Sequence, residues 1–176
     1  DVRGFLTSPD LLLIMKANNK ARVHRPVHMD TIIVKKIDEA GKVIGEHRFI
    51  GLFTSVAYNQ SPGDIPMLRQ KVNRIVARGG FAAESHDGKA LINILETYPR
   101  DELFQASEDD LLTTSIGILH LQERQKTALF VRADPFERFV SVILFVPRDH
   151  YTTQIRERFA EILSTAFDGH ITAFYT

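Results

Sequence analysis

The chain has 176 residues, 44% of them hydrophobic and 25% charged, and its 22 lysines and arginines balance 22 aspartates and glutamates. This composition is typical of a globular protein with one large or two small domains, and formal neutrality argues against a nucleic-acid-binding face or a polybasic membrane anchor. The absence of cysteine excludes disulfides, thiolate metal sites and cysteine nucleophiles.

The first third of the chain is predicted to form a small β-sheet. The run LLLIM at 11–15, between a proline and two asparagines, predicts a buried strand. The β-branched series TIIV predicts a second strand over 29–37, and an apolar and aromatic run predicts a third over 43–58. Gly41 supplies the turn position that tolerates a positive φ, so the last two strands are expected to form a hairpin.

Two helices are predicted to follow. Ser61, followed by a proline, is typical of a helix start, and apolar residues recur at helical spacing until Gly79-Gly80 ends the pattern. Ser85 is predicted to cap the second helix. Pro99 ends that helix because a proline disfavours the helical conformation of the residue before it, Tyr98.

The last third of the chain is predicted to contain two helices around a hairpin and a final strand. Ser107 with Asp110 resembles a capping box that begins a third helix. The apolar runs TALFV and FVSVILFV predict the hairpin. Thr152 or Thr153 is predicted to cap a fourth helix that Gly169 ends, and HITAFY to begin the last strand. We expect seven aromatic residues to form the core here: Phe136, Phe139, Phe145, Phe159, Phe167, Phe174 and Tyr175.

This order of elements predicts an α+β fold with two small units of antiparallel sheet, each covered by helices. We place the first, hairpin-rich unit at 1–98, a seam at 99–106 and the second unit at 107–176. No apolar run approaches the roughly 20 residues that span a bilayer, and the first residues lack the pattern of a signal peptide. Because the chain starts without Met and stops within a predicted strand, we expect a fragment of a longer protein.

Two constellations resemble catalytic or metal sites. His24 and His28 have the spacing of a zinc-binding pair on a helix, but Pro26 between them argues against a helix, so we expect loop or strand-entry histidines that bond nearby backbone, and no metal site. The consecutive Ser85, His86 and Asp87 contain the residue types of an acyl-transfer triad, although adjacent residues rarely converge as a triad requires. Glycine-rich phosphate-binding motifs are absent from the sequence.

The stretch LETYPRDELF, at 95–104, concentrates an acid, a phenol, a guanidinium and two further carboxylates around a proline. We interpret it as a joint between the two units, in which Arg100 pairs with Asp101 or Glu102, or bonds the open carbonyls of the preceding helix. A ligand or subunit contact at the same joint is the second interpretation. The alternative from another class is a small self-contained hydrolase that uses Ser85, His86 or one of the carboxylates Glu96, Asp101 and Glu102.

Four strings resemble a known family: HRPVHMDTIIVKKIDEAGKVIGEHRFIGLFTSVAYN, SHDGKALINILETYPRDELF, GILHLQER and LFVRADPFERFVSVILFVPRDHYTTQIRERF. Together they are similar to the N-terminal, non-catalytic region of the large bacterial NAD-specific glutamate dehydrogenases, from about residue 11 to about residue 169. The resemblance implies ACT-like and PAS-like regulatory modules before a domain that deaminates L-glutamate to 2-oxoglutarate and ammonium with NAD. It also implies that the catalytic and NAD-binding residues lie outside this chain, so none is assigned here.

The resemblance further implies an ACT-like, ferredoxin-like second unit, truncated at its C-terminal end, and a PAS-like or ACT-like first unit. We therefore expect a regulatory and assembly segment of a cytoplasmic enzyme. Its expected partners are the other domains and subunits of that enzyme, in a homo-oligomer, with an amino acid as a candidate effector whose binding residues are unknown. NAD is expected only in the parent enzyme, with neither nucleic acid nor membrane as a partner. A ligand-free structural spacer is the remaining alternative.

Overall fold

The computed structural model describes residues 3–82, 84–122 and 126–175. Its strands occur in two groups, with most of the helices in the chain between them. In chain order they are α1 (Arg3–Thr7), β1 (Leu12–Lys20), β2 (His28–Ile37), β3 (Val43–Gly51), α2 (Ser55–Asn59), a 3₁₀ turn (Pro62–Asp64), α3 (Pro66–Gly79), α4 (His86–Thr97), α5 (Arg100–Gln105), α6 (Glu108–Leu121), β4 (Ala128–Ala133), β5 (Val140–Phe145), a 3₁₀ turn (Arg148–His150) and α7 (Thr153–Ala166). None of the helices in these described ranges is long and apolar enough to cross a membrane.

Strands β1, β2 and β3 form an antiparallel sheet with β2 in the centre. Gly41 has a φ of 80° in the turn between β2 and β3, which confirms the predicted hairpin. The third strand ends at Gly51 and does not continue to Tyr58 as predicted. Gly51 lies opposite Asp30, close to the start of β2, so residues beyond it have no partner strand on β2 and turn into α2 instead.

Helices α3, α4 and α6 pack together over one face of this sheet. Their buried apolar residues contact Ile14 of β1, and Ile32 of β2 is packed against the same core. The prediction that Ser61 begins the first of these helices is wrong by one turn. Ser61 caps the short 3₁₀ turn, and Ile65 is extended because Pro66 follows it, so α3 begins at Pro66.

The predicted starts of the next helices are confirmed. The Ser85 hydroxyl accepts a hydrogen bond from the Gly88 amide at 3.1 Å, and the Ser107 hydroxyl accepts one from the Asp110 amide at 3.0 Å. Tyr98 is extended before the proline, as expected. The seam, however, contains a helix that was not predicted, α5, whose first turn carries two acids that favour the positive end of a helix.

Strands β4 and β5 form the predicted hairpin, which packs against α6 through Phe130. Thr152 caps α7, and its hydroxyl accepts a hydrogen bond from the Ile155 amide at 3.2 Å. The predicted final strand is wrong, because residues 170–175 pair with neither strand of the hairpin and are exposed.

The aromatic core predicted for the second unit is also only partly observed. Phe145 packs against the main core, and its ring meets the Phe130 ring edge to face at 6.0 Å. Phe167, Phe174 and Tyr175 are exposed, because α7 and the residues after it do not cover the hairpin.

The α+β class and the two small antiparallel sheets covered by helices are as predicted. Helix α5 lies within residues 99–106 and packs against β1. The division into units at 1–98 and 107–176 stays a prediction.

Candidate functional site

The short helix α5 directs two neighbouring carboxylates towards different sheets. Asp101 accepts hydrogen bonds from the Lys16 ammonium at 3.1 Å and from the Tyr58 hydroxyl at 2.9 Å. The same ammonium lies 2.6 Å from Asp30, a buried carboxylate that also accepts a hydrogen bond from the Phe53 amide at 3.1 Å. Burial and the Asp101 charge raise the pKa of the Tyr58 phenol well above its ordinary value, so Tyr58 remains a proton donor. This network fixes α5 to the first sheet.

Glu102 forms a bidentate ion pair with Arg132 of β4. Arg132 Nε donates to one carboxylate oxygen and Nη2 donates to the other, both at 2.7 Å. The two side chains are only 10% and 14% exposed, which shields the pair from water. Burial alone would lower the pKa of Arg132, but the hydrogen bonds and charge of Glu102 raise it. The pair fixes α5 to the second sheet.

The loop between β4 and β5 makes a third connection between the sheets. The buried Asp134 accepts hydrogen bonds from Arg138 Nε at 2.8 Å and from the Phe136 amide at 3.1 Å. Burial alone would raise the pKa of Asp134, but the Arg138 hydrogen bonds lower it, so Asp134 stays ionised. Arg138 Nη1 in turn donates to the backbone carbonyl of Lys16 in β1.

A cleft of about 180 Å³ opens between α5, α6 and the β4–β5 hairpin. Its lining includes the Glu102–Arg132 pair, the hydroxyl-bearing Thr114 and Ser141, and the apolar ring of Phe130. An ion pair, hydroxyl groups and an aromatic ring in one concave surface provide the chemistry to bind a small polar molecule. The cleft and the two ion pairs of α5 together form the candidate site.

Arg100 does not pair with either acid beside it, and this prediction is wrong. Its Nη2 donates to the Gln60 carbonyl at 2.9 Å, while Nε and Nη1 are buried without a partner in the described part of the chain. Burial lowers the pKa of Arg100. The physical reason is the unpredicted helix, because residues one and two apart on a helix do not face each other.

Nor does Arg100 bond the carbonyls at the end of α4, because its acceptor residue, Gln60, follows α2. The carbonyls at the end of α5 are bonded by Lys71. Its ammonium lies 3.0 Å from the Leu103 oxygen, 3.3 Å from the Phe104 oxygen and 2.5 Å from the Ala106 oxygen. Burial lowers the pKa of Lys71 to about 8. The last carbonyl oxygens of α5 have no hydrogen-bond donor within their own helix, and the Lys71 ammonium of α3 supplies one.

The structure does not assemble the acyl-transfer triad. The Ser85 hydroxyl donates a hydrogen bond to the Ala82 carbonyl at 2.6 Å and accepts one from the Gly88 amide as the cap of α4. Both of its hydrogen bonds are thus made to the backbone. His86 is exposed and lies 3.3 Å from Asp87. Glu96 is exposed on α4, whereas Asp101 and Glu102 are engaged in ion pairs. The hydrolase interpretation is left without a free nucleophile among these residues.

The structure places His24 in the loop after β1 and His28 at the start of β2, as predicted. His24 has a φ of 68° at the tip of the β1–β2 connection, and the His28 Nδ1 lies 3.0 Å from the Ala17 carbonyl oxygen. Within residues 3–82, 84–122 and 126–175, no three His, Asp or Glu side chains come close enough to hold a metal ion.

Sequence reasoning missed the bases and acids that partner α5 and the hairpin loop. Their signal in the sequence is a charged residue inside an apolar strand pattern, which is rare unless that charge is paired. Lys16, Asp30 and Arg132 are charged residues within strands of this kind. Asp134 and Arg138 lie in the loop that follows β4.

The family description "Glutamate dehydrogenase, helical motif 1" matches residues 65–124, and "Glutamate dehydrogenase, ACT2 domain" matches residues 128–176. Among curated proteins, the NAD-specific glutamate dehydrogenase of Halomonas elongata is 42% identical over 98% of this chain and 11% of its own length. The protein of the same name from Pseudomonas aeruginosa is 42% identical over the same shares. That of Mycobacterium tuberculosis is 35% identical over 95% of this chain and 10% of its own length. The chain thus spans about a tenth of these relatives.

Proposed function

Because the chain belongs to the NAD-specific glutamate dehydrogenase family, we propose that it is a non-catalytic regulatory and assembly segment of such an enzyme. The parent reaction in this proposal is the oxidative deamination of L-glutamate to 2-oxoglutarate and ammonium, with NAD as the hydride acceptor. NAD binds elsewhere in the parent enzyme. The names of the relatives and the match to an ACT2 domain support this assignment.

The observation that carries the proposal is the pair of ionic connections made by α5. Asp101 connects the helix to β1, and Glu102 connects it to β4, so a displacement of either sheet changes a contact of the same short helix. Breaking the buried pair of Glu102 and Arg132 leaves an uncompensated charge, which is costly. The segment can therefore hold the two sheets in one arrangement and transmit a change at the hairpin to the first sheet.

We further propose that the cleft beside Glu102 and Arg132 binds the amino-acid effector expected from the family resemblance. Asp109 and Asp110 also line the cleft and would attract the α-ammonium group, while the α-carboxylate would compete with Glu102 for Arg132. Binding there would weaken the connection between α5 and β4. Titration calorimetry of the chain with a panel of amino acids tests this step, and no heat at millimolar ligand would contradict it.

The main experiment uses the full-length enzyme with Arg132→Met. We expect altered oligomeric mass, or an altered dependence of glutamate oxidation on amino-acid effectors, because β4 is released from α5. Arg158→Met is the matched control, since Arg158 pairs with Glu161 on the exposed face of α7 at 2.9 Å. Unchanged mass and unchanged effector response in Arg132→Met would contradict a regulatory and assembly role.

In this proposal the partners are other domains and subunits of the same enzyme, arranged as a homo-oligomer. We place the enzyme in the cytoplasm, since a dehydrogenase that turns over NAD exchanges it with the pool inside the cell. The ligand-free spacer differs from this proposal in the calorimetric result and in having no response to amino-acid effectors.

A further inference from the structure

The connection between β1 and β2 is an exposed basic loop, defined here as residues 20–28. The sequence has no acidic residue between Asp10 and Asp30, so no carboxylate within that span offsets its charge. Within the described residues, no ion pair involves the first two cationic side chains of the loop. The basic loop exposes five cationic or titratable side chains: Lys20, Arg22, His24, Arg25 and His28.

The basic loop has an ordered backbone. The Ala21 amide donates to the Val27 carbonyl at 2.9 Å, the Arg25 amide to the Val23 carbonyl at 3.0 Å and the Val27 amide to the Arg25 carbonyl at 2.8 Å. Arg25 anchors the loop to the body of the protein, because its Nη2 donates to the Phe53 carbonyl at 3.3 Å. A pre-ordered loop loses less conformational entropy when it binds a partner than a flexible one does.

The chemistry of the basic loop favours a protein partner over a phosphate group. Phosphate-binding loops present free backbone amides to the anion, whereas the amides of Ala21, Arg25 and Val27 are bonded within this loop. The cations also alternate with apolar side chains, of which Val23 is 68% exposed and Val27 is 38% exposed. An apolar side chain beside an arginine is typical of a protein interface.

An exposed apolar side chain also lies on β3, at the end of the sheet that carries the basic loop. Gly51 lies opposite Asp30, so β3 ends at the same end of the sheet as the basic loop. Ile50, next to Gly51, is 57% exposed. Strand β3 is an edge strand of the sheet. Exposed cations and exposed apolar side chains therefore lie at the same end of the sheet.

We propose that the basic loop, with the adjoining end of β3, docks onto an acidic surface of the same enzyme outside residues 1–176. Because the basic loop is positively charged, its partner surface must be negatively charged. The relatives are roughly ten times as long as this chain, so the rest of such a protein can contain that surface. This inference rests on the proposed assembly role and names a surface and a partner for it. Opposite charges at such a surface increase the association rate and fix orientation.

A carbodiimide cross-links an ammonium group to a carboxylate only when the two are in direct contact, so it tests the partner's chemistry. We expect full-length enzyme to give a cross-link from Lys20 to an aspartate or glutamate outside residues 1–176, identified by peptide mass spectrometry. Arg22→Glu should lower the yield of this cross-link about tenfold. Raising the salt concentration from about 0.1 M to about 0.5 M should lower the yield by a similar factor, because salt screens the opposite charges. Lys20→Arg should abolish the cross-link while leaving the oligomeric mass unchanged.

Lys42 is the matched control, because it is an exposed lysine at the opposite end of the same sheet. A Lys20 cross-link no more frequent than that of Lys42 would overturn the inference. A second result would also overturn it. In that result the full-length enzyme binds anionic vesicles or nucleic acid, Arg22→Glu abolishes this binding, and no Lys20 cross-link forms. If Arg132→Met still alters mass or effector response, the proposed function stands without this docking surface.

Discussion

Asp101 and Glu102 are adjacent in sequence, yet they bond side chains of two different sheets. Successive residues on a helix point about 100° apart, so one turn of α5 is sufficient to separate them. Lys16, the partner of Asp101, lies 85 residues away in the chain, and Arg132, the partner of Glu102, lies 30 residues away. The sequence shows a cluster of polar residues that resembles an active site, but it does not show these partners.

Ser115 in α6 provides a test of the cost of an unsatisfied polar group. Its hydroxyl is fully buried and has no hydrogen-bond partner in the described part of the chain. We expect Ser115→Ala to raise the free energy of unfolding by about 1 kcal/mol, because a buried donor without a partner is removed. Urea unfolding followed by circular dichroism measures the change.

The control for this substitution is Ser164→Ala in α7, where the residue is only partly buried. It isolates the better helix propensity of alanine, which accounts for about 0.5 kcal/mol. A Ser115→Ala variant less stable than the parent chain would show that the hydroxyl is bonded after all.

Lys71 makes the stability of the chain depend on pH. Its pKa in the folded state is lowered to about 8 by burial, whereas in the unfolded chain it is close to 10.5. Between these values the unfolded chain binds more protons than the folded protein, so the free energy of unfolding should rise as the pH increases from 8 to 10. Urea unfolding at pH 8, 9 and 10 measures this rise, which should be absent in Lys71→Met.

Above pH 10 the tyrosines act in the opposite direction. Burial raises the pKa of Tyr98 to about 12, so the folded protein then retains a proton that the unfolded chain loses, and stability falls. Parallel pH profiles for Lys71→Met and the parent chain between pH 8 and 10 would contradict the assignment to Lys71.

At the scale of elements, the sequence predicts what neighbouring residues determine. The caps at Ser85 and Ser107 act within three residues of themselves, and the turn at Gly41 depends on one backbone angle, so all three were predictable. Helix α5 was missed because its six residues are too few for a periodic pattern, and its C-terminal carbonyls are bonded by Lys71 of α3. The failed strand at 170–175 illustrates the same limit, because strand propensity forms no ladder without a partner strand.

Helix α6 meets strand β4 at Gly117, where the two elements approach closely. An added Cβ would lie 2.5 Å from Cε1 of Phe130 and 3.0 Å from its Cζ. We expect Gly117→Ala to lower the free energy of unfolding by about 2 kcal/mol, because the ring must move out of its contact. Denaturant unfolding of the variant measures this loss.

A second substitution separates this steric effect from other effects of alanine. Adding Phe130→Leu to Gly117→Ala should recover part of the lost stability, because leucine is smaller than the ring that the new Cβ meets. If the double variant is less stable than the sum of the single changes predicts, the contact between α6 and β4 is not the cause.

At the scale of the whole molecule, the sequence predicted the α+β class and both sheets but not how the sheets are joined. The apolar core extends from Ile14 of β1 through the helices to Phe130 and Phe145 of the hairpin. The ion pairs of α5 add directional contacts to this core. Their geometry determines that Asp101 binds the first sheet and Glu102 the second. Such long-range pairing depends on the folded arrangement, so a single sequence does not specify it.

Glu102→Gln should therefore loosen one sheet and leave the other intact. The substitution removes the charge opposite Arg132, which then lies buried without a counter-ion, so the hairpin loses its tether to α5. Hydrogen exchange should become about tenfold faster or more for the β4 and β5 amides, with little change in β1 and β2. Asp101→Asn is the matched control one residue away. That variant also loses a contact between α5 and β1, but the Asp101 side chain is 42% exposed and Asp30 still pairs with Lys16. No charge is then left buried without a partner, so the first sheet should exchange only slightly faster. Equal acceleration of both sheets by Glu102→Gln would mean that the whole chain opens at once, and α5 would then not be a local connection between two separable sheets.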